Sequence, residues 1–337
     1  MACSSLRSEG LLQAHVVGDA FVDVLAAGLP RLPGWGDDVS ALIRSEAGGS
    51  ALNTAVHLGS ILGRPGCVHF HGCVGDDAFG QSLRARLERA GVRQHIAVLP
   101  EQPTGSCIVL SGTAGRSFVT CAGATGAMAV EHLPGLTAAL DEAEGRFHVH
   151  FAGFYAYGPL RWQLPALLLG LRCKAAARGV RFTASADLNG AEAQHLEGFG
   201  QVLGALDLFR GNRQEAAAAV KATAEAAAGA RAENAEALAR TLAEGERCAV
   251  VTDGEHGAAF AGGGLAGRVP ASSVEVSDTT GAGDACCAAF LASWLLGDGL
   301  EVAATRGCAA GSVNCTRIGG CSLPVTHADL DLLLSCR

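Results

Sequence analysis

Charged residues make up only 17% of the chain, so most of its sequence is free to pack rather than to face water. No Gly-Lys-Ser or Gly-Lys-Thr occurs anywhere, which rules out a phosphate cradle of the P-loop kind. Thirteen cysteines are present, but none falls in a Cys-x-x-Cys pair or at a zinc-like spacing from histidine. Most sit in apolar runs (Cys67, Cys73, Cys107, Cys286, Cys287), where a thiol behaves as a small hydrophobe. No secretory h-region precedes the first strand, and the longest apolar run, Ala285 to Leu296, is too short to span a bilayer. These shortages predict a cytoplasmic protein of a reducing compartment, with no membrane partner. The net charge of −8 sets the surface against nucleic acid as well, though not against a nucleotide held by local dipoles. With 337 residues, 49% of them apolar, the chain can bury a full core as one large α/β domain or one domain with a small appendage.

What is present centres on Ser277-Asp278-Thr279-Thr280-Gly281-Ala282-Gly283-Asp284-Ala285. A β-branched run (Val274, Val276) leads in and a small-residue helix leads out. Gly281, Ala282 and Gly283 let backbone amides crowd one anion at a helix N-terminus. The competing explanation is a tight connection and nothing more. A dinucleotide fingerprint fails, because Cys286 stands where a third glycine is needed. The carboxylate of Asp284 would repel a phosphate that is merely bound. It makes sense where an acid takes a proton from an attacking hydroxyl while amides stabilise a moving phosphoryl group.

Taken in order, the chain predicts a first strand at His15 to Gly18, extended backbone through Phe21 to Leu25, and an irregular hairpin returning at Ala41 to Ile43. Asp19 and Asp23 at that strand's exit are either solvated loop acids or ligands for substrate hydroxyls. Gly48-Gly49 opens a helix with Leu52, Ala55, Val56, Gly59 and Leu62 at helical spacing. Asn53 near its start is a cap or a partner for a hydroxyl. Val68 to Phe70 is a strand, followed by a helix carrying Phe79, Leu83, Leu87 and Ala90 and ending at Gly91. A second hairpin, Thr104 to Ser111 with Phe118 to Cys121, turns at Gly112-Thr113-Ala114-Gly115. Strands at Phe147 to Phe151, Val180 to Ala184 and Leu206 to Phe209 alternate with helices, among them Leu160 to Arg178. An Ala-rich helical segment then runs to about Gly245. At its head, Asn212 and Glu215 form a cap or hold a hydrated magnesium ion. Cys248 to Thr252 is a buried strand whose turn, with Gly254 and Gly257, suits a nucleotide edge. Helices close the chain at Glu301 to Thr316 and Thr326 to Leu334.

In combination, Gly48-Gly49 with Asn53, Asn212-x-x-Glu215, Thr252-x-Gly254 and Asp278 to Asp284 resemble the ribokinase-like carbohydrate kinase family over nearly the whole length. The resemblance implies a doubly wound, mostly parallel sheet flanked by helices. Residues 12–20, 44–102 and 123–337 would form the nucleotide-binding core, with 21–43 and 103–122 a β lid over the substrate. It implies transfer of the ATP γ-phosphoryl group, with Mg2+, to a hydroxyl of a small sugar, nucleoside or similar metabolite. Asp284 then matches the catalytic base, and Gly281, Ala282 and Gly283 with it the anion hole. Asp19, Asp23, Gly49 and Asn53 match the substrate site, and Thr252, Gly254, Gly257 and Cys308 with Asn212 and Glu215 the nucleotide side. Asp278, Thr280 and Ser322 resemble a monovalent-cation site, taken as K+. Ser50 stands where ribose-specific members carry lysine, which leaves the acceptor open between a sugar and a nucleoside. A non-catalytic metabolite-binding regulator is the alternative of another class, against which the intact Asp284 and Asn212/Glu215 weigh. An exposed lid edge would suit a homodimer.

Overall fold

The computed structural model describes residues 12–112, 115–190, 196–223 and 234–335. In chain order, β1 (Leu12–Gly18) is followed by β2 (Phe21–Leu29), β3 (Leu42–Gly48), α1 (Ser50–Leu62), β4 (Val68–Val74), α2 (Ala78–Arg89) and β5 (Arg93–Val98). Next come β6 (Gly105–Gly112), β7 (Gly115–Cys121), α3 (Gly123–Gly126), α4 (Pro134–Glu142), β8 (Arg146–Ala152), α5 (Pro159–Arg178) and β9 (Arg181–Ala186). The last part holds α6 (Phe199–Leu203), β10 (Leu208–Asn212), α7 (Arg213–Thr223), α8 (Ala235–Leu242), β11 (Cys248–Thr252), β12 (Ala258–Gly262) and β13 (Leu265–Val269). Three helices end the chain: α9 (Ala282–Leu295), α10 (Leu300–Cys315) and α11 (His327–Ser335).

Nine strands form one sheet in the order β13-β12-β11-β10-β9-β8-β1-β4-β5, in which β12 alone runs against the others. Side chains alternate across it, as a period of two requires. Ala14 and Val16 of β1 and Val250 of β11 enter one core with α1, α9 and α10. Val17, Phe147, Val149 and Val251 enter the other, with α4, α5, α7 and α8. Burial on both faces explains why these strands carry near-continuous apolar runs. The expected doubly wound α/β core is therefore what the chain forms. Its central helix α9 is buried on almost every side, packed between α1 and α10, which accounts for its lack of a polar stripe.

A separate four-stranded sheet has the order β3-β2-β6-β7. Its edge strand β3 pairs with β2 from Leu42 as far as Gly48, so the boundary expected at residue 43 falls inside it. Polar residues Arg44, Ser45 and Glu46 hid the continuation of that strand past Ile43. Residues 113 and 114 of the expected β6–β7 turn lie outside the described residues. Three strands escaped sequence detection: β5 is a half-buried edge, and β12 and β13 carry alanine and glycine in place of β-branched residues. The Ala-rich helical segment expected to run to about Gly245 holds α7 and, after a fresh start, α8. A new helix, α8, starts at Ala235, its end capped by Asn234 Oδ1 accepting from Ala237 N at 2.9 Å. Residues 224–233 between α7 and α8 lie outside the described residues. Among the described residues, no helix is long and apolar enough to cross a membrane.

Candidate active site

Asp284 occupies the first turn of α9, where the unpaired amides of a helix start concentrate positive potential. Gly281 caps that helix with φ of 73°, and a side chain there would run into the backbone of Gly320. Only glycine meets both conditions at once. The Asp284 carboxylate spans two partners: Oδ1 accepts from Ser50 Oγ at 2.9 Å and Oδ2 from Asn53 Nδ2 at 2.8 Å. Burial lifts its pKa to about 7; Asn53, Arg210 and Ser50 pull down and Asp187 pushes up. A carboxylate poised at that value can accept a proton near neutrality.

Both partners sit in the first turn of α1, at a chain entry that glycine makes possible. Gly49 has φ of 93°, and a Cβ there would lie 2.7 Å from the carbonyl oxygen of Asp19. A side chain on Gly48 would strike the Asp23 carboxylate. Asn53 is 4% exposed, and its Oδ1 is buried with no hydrogen-bond partner. A buried amide oxygen left unmet is costly, and it suits a ligand that donates.

The structure gives Asp19 a different task from the hydroxyl contact expected of it. Its side chain is fully buried, with Oδ2 accepting from Ser50 N at 3.0 Å and Oδ1 from Ala51 N at 2.8 Å. It anchors the start of α1. Burial raises its pKa to about 7 against the opposing pull of those amides. Asp23 is the reverse case. It lies across from Glu46 on β3, and its carboxylate has no hydrogen bond among the described residues. Burial first, then the Glu46 charge, raises its pKa to about 6.

Behind Asp284 lies a buried polar group that sequence inspection missed. Asp187 follows β9 and is 1% exposed; its Oδ1 accepts from Gly153 N at 2.9 Å and its Oδ2 faces Ser50 Oγ at 3.4 Å. Arg210, 6% exposed on β10, donates to the Gly283 carbonyl at 2.6 Å and so fixes the first turn of α9 beside Asp284. A charge inside the run Leu208-Phe209-Arg210, and an acid just past a parallel strand, were the available signals.

A cavity of about 1090 Å³ opens beside Gly283. It brings together Thr252, Gly254, Gly257 and Cys308 with Ala282 and Gly283. Asn212 lies across the β10–β11 pair from Thr252. Asn212 and Glu215 cap one another: Asn212 N donates to Glu215 Oε2, and Glu215 N to Asn212 Oδ1, both at 2.9 Å. Neither lines the cavity. Asp278 Oδ1 accepts from Thr280 N and Oγ1 at 2.9 and 2.7 Å, and Oδ2 accepts from Gly319 N at 3.0 Å. Ser322, expected to join these two, donates instead to Glu46 Oε2 at 2.7 Å.

Asp19, Asp187, Asn212 and Thr252 all mark the carboxyl ends of parallel strands, where open α/β sheets bind ligands. With a cavity facing a helix N-terminus, the arrangement is that of an α/β enzyme handling an anionic substrate. The pfkB carbohydrate kinase family model matches residues 17–327, and the chain belongs to that family. It is 27% identical over 311 residues to adenosine kinase of Schizosaccharomyces pombe, covering 85% of this chain and 84% of that one. Ribokinase from Thermotoga maritima superposes with a TM-score of 0.77 at 21% identity, over 96% of this chain and 99% of its own. Arabidopsis thaliana ribokinase, solved with ribose and ATP, gives 0.72 at 22% identity, over 96% and 98%. The family resemblance and the fold expected from sequence are both borne out, and the chain is a kinase of the sugar and nucleoside class.

Proposed function

We propose that the protein moves the γ-phosphoryl group of ATP to an alcohol on a small sugar or on the sugar of a nucleoside. One observation carries this: Ala282 and Gly283 line the large cavity while the next residue, Asp284, is held by Ser50 and Asn53, just past the Gly48 end of β3. Phosphate oxygens then meet the amides of Gly281 to Asp284, and the acceptor hydroxyl meets the carboxylate. The hydroxyl oxygen attacks phosphorus, the bond from phosphorus to the ADP oxygen breaks, and Asp284 takes the proton. Asp23, the Gly49 backbone and Asn53 Oδ1 bind the other hydroxyls, while Asp19 acts by holding α1 in place. The four-stranded sheet, as a lid, excludes water that would compete for the phosphoryl group.

Thr252, Gly254, Gly257 and Cys308 border the nucleotide. Asn212 and Glu215 offer oxygen donors of the kind that bind Mg2+ through its waters, and Glu215 Oε1 has no hydrogen bond among the described residues. Bound magnesium neutralises charge on the transferring phosphate. K+ fits this reading at the junction of Asp278 and Thr280 with the loop at Ser322; an assay with and without K+ tests it. Homodimerisation through the lid is supported by Ile108, Phe118 and Val119, which are 45%, 61% and 60% exposed, and is tested by sedimentation.

A nucleoside acceptor has a specific point in its favour, the likeness to an adenosine kinase over most of both chains. A panel of pentoses, hexoses and nucleosides with ATP consumption as readout separates the two acceptor classes. Failure of every member would favour a non-catalytic regulator.

A further inference from the structure

Three side chains distant in sequence meet beneath Asp284: His150 near the end of β8, Asp187 after β9, and Cys287 one turn along α9. All are buried, and their donor atoms lie within 4.8 Å of one another. His150 Nε2 is 3.4 Å from Asp187 Oδ2 and 3.5 Å from Cys287 Sγ. Tetrahedral zinc, with bonds of about 2.0–2.1 Å to nitrogen, 2.0–2.2 Å to oxygen and 2.3 Å to sulfur, sets edges of roughly 3.4 Å for N···O and 3.5–3.6 Å for N···S. The two measured edges match those values, whereas 3.4 Å is long for a charged hydrogen bond.

The donors are also oriented from outside, as metal ligands are. His150 Nδ1 meets Ser185 Oγ at 2.8 Å, and that hydroxyl meets His148 Nε2 at 2.9 Å. With Nδ1 turned to Ser185, Nε2 faces Asp187 and Cys287. Asp187 Oδ1 is fixed by Gly153 N at 2.9 Å. We propose that His150, Asp187 and Cys287 form a binding site for one soft, tetrahedral divalent cation of the zinc type, with Ser50 Oγ or water as fourth ligand. Thiolate and imidazole select such an ion, while magnesium prefers all-oxygen sites. Binding displaces the proton on His150 Nε2 and any proton on the thiol. The Arg210 guanidinium lies near Asp187 and Cys287 and opposes the cation.

The site borders the proposed catalytic base through Ser50, whose Oγ is 3.4 Å from Asp187 Oδ2 and 2.9 Å from Asp284 Oδ1. Occupancy draws Ser50 and the Asp187 charge toward the ion, and so inhibits phosphoryl transfer; this consequence, unlike the site, rests on the function proposed above.

The test is Co2+ titration of the chelator-treated full chain, equilibrated to completion and followed by absorption. Expected are one tightly held ion, intense tetrahedral d–d bands and a thiolate charge-transfer band. Zn2+ should displace them, Cys287→Ala abolish them and Cys286→Ala keep them. Absence of a stoichiometric site in wild type, bands that persist in Cys287→Ala, or loss in folded Cys286→Ala would overturn the proposal. His150→Ala, checked for folding by circular dichroism, should remove the d–d bands too; their retention likewise contradicts it. These readouts need no substrate, so failure of the kinase assignment leaves them unaffected.

Discussion

Asn53 on α1 donates its side-chain amide to Asp284 on α9 at 2.8 Å, across 231 positions of sequence. The same amide keeps a buried oxygen without a partner. One residue thus orients the base and offers an acceptor to the substrate.

Asn53→Ala removes a hydrogen bond that lowers the Asp284 pKa. The acid-side midpoint of kcat/KM should move above its wild-type position near 7. A hydrogen bond to a charged group contributes about 1.5–3 kcal/mol, so kcat/KM should fall roughly 10- to 100-fold. A pH profile that keeps its midpoint would sever Asn53 from the base.

Asp19 and Asp23 separate by what each mutation damages. Asp19→Ala strips the partners from two buried amides at the start of α1, which should cost on the order of 1–3 kcal/mol. Urea unfolding should show a lower midpoint with an unchanged slope. Normal stability with a raised acceptor KM would return Asp19 to the hydroxyl site.

Asp23→Ala should leave stability intact or slightly improved, because it relieves the repulsion from Glu46. Its effect belongs in the acceptor KM, raised about tenfold or more if one charged hydrogen bond is lost, with the ATP KM unchanged. Equal kinetics for both substrates would refute the assignment.

Acid should destabilise the fold between about pH 6 and pH 4. Burial holds His57 and His69 down at about 4 and His148 at about 3, and lowers His15, His71 and His95 as well. The unfolded chain takes up protons on these rings below about 6.5, which the native state refuses. Asp19 and Asp284 at about 7, Asp23 at about 6 and the raised Glu215 act oppositely, since the native state keeps protons the unfolded chain has released. The lowered imidazoles outnumber the raised carboxyls, so the unfolded chain holds the excess of protons and stability should fall as the pH drops through this range. Denaturant midpoints at pH 6.5 and 4.5 check this; a higher midpoint at pH 4.5 would reverse the sign.

The parts legible in the sequence were those whose function depends on backbone. Gly48-Gly49 and Gly281-Ala282-Gly283 announce close approach and helix starts, because no other residues fit such turns. The parallel core showed itself through apolar runs such as Cys248 to Thr252. What stayed hidden was decided by tertiary proximity. Asp187 and Arg210 are ordinary charges until the fold buries them together, and β3 is polar because half of it faces outward. Local spacing gave no hint of His150, Asp187 and Cys287, since three separate elements supply them. The hold of Asp19 on the start of α1 was not legible, because position at a strand exit does not say where a carboxylate turns.

The most direct test of the account is Asp284→Asn, a change that keeps shape and removes basicity. With ATP and the best acceptor from the panel, turnover should fall by about 10²–10⁴ while nucleotide binding measured by calorimetry persists. Turnover close to wild type would contradict the assignment of Asp284 as the base and, with it, the proposed mechanism.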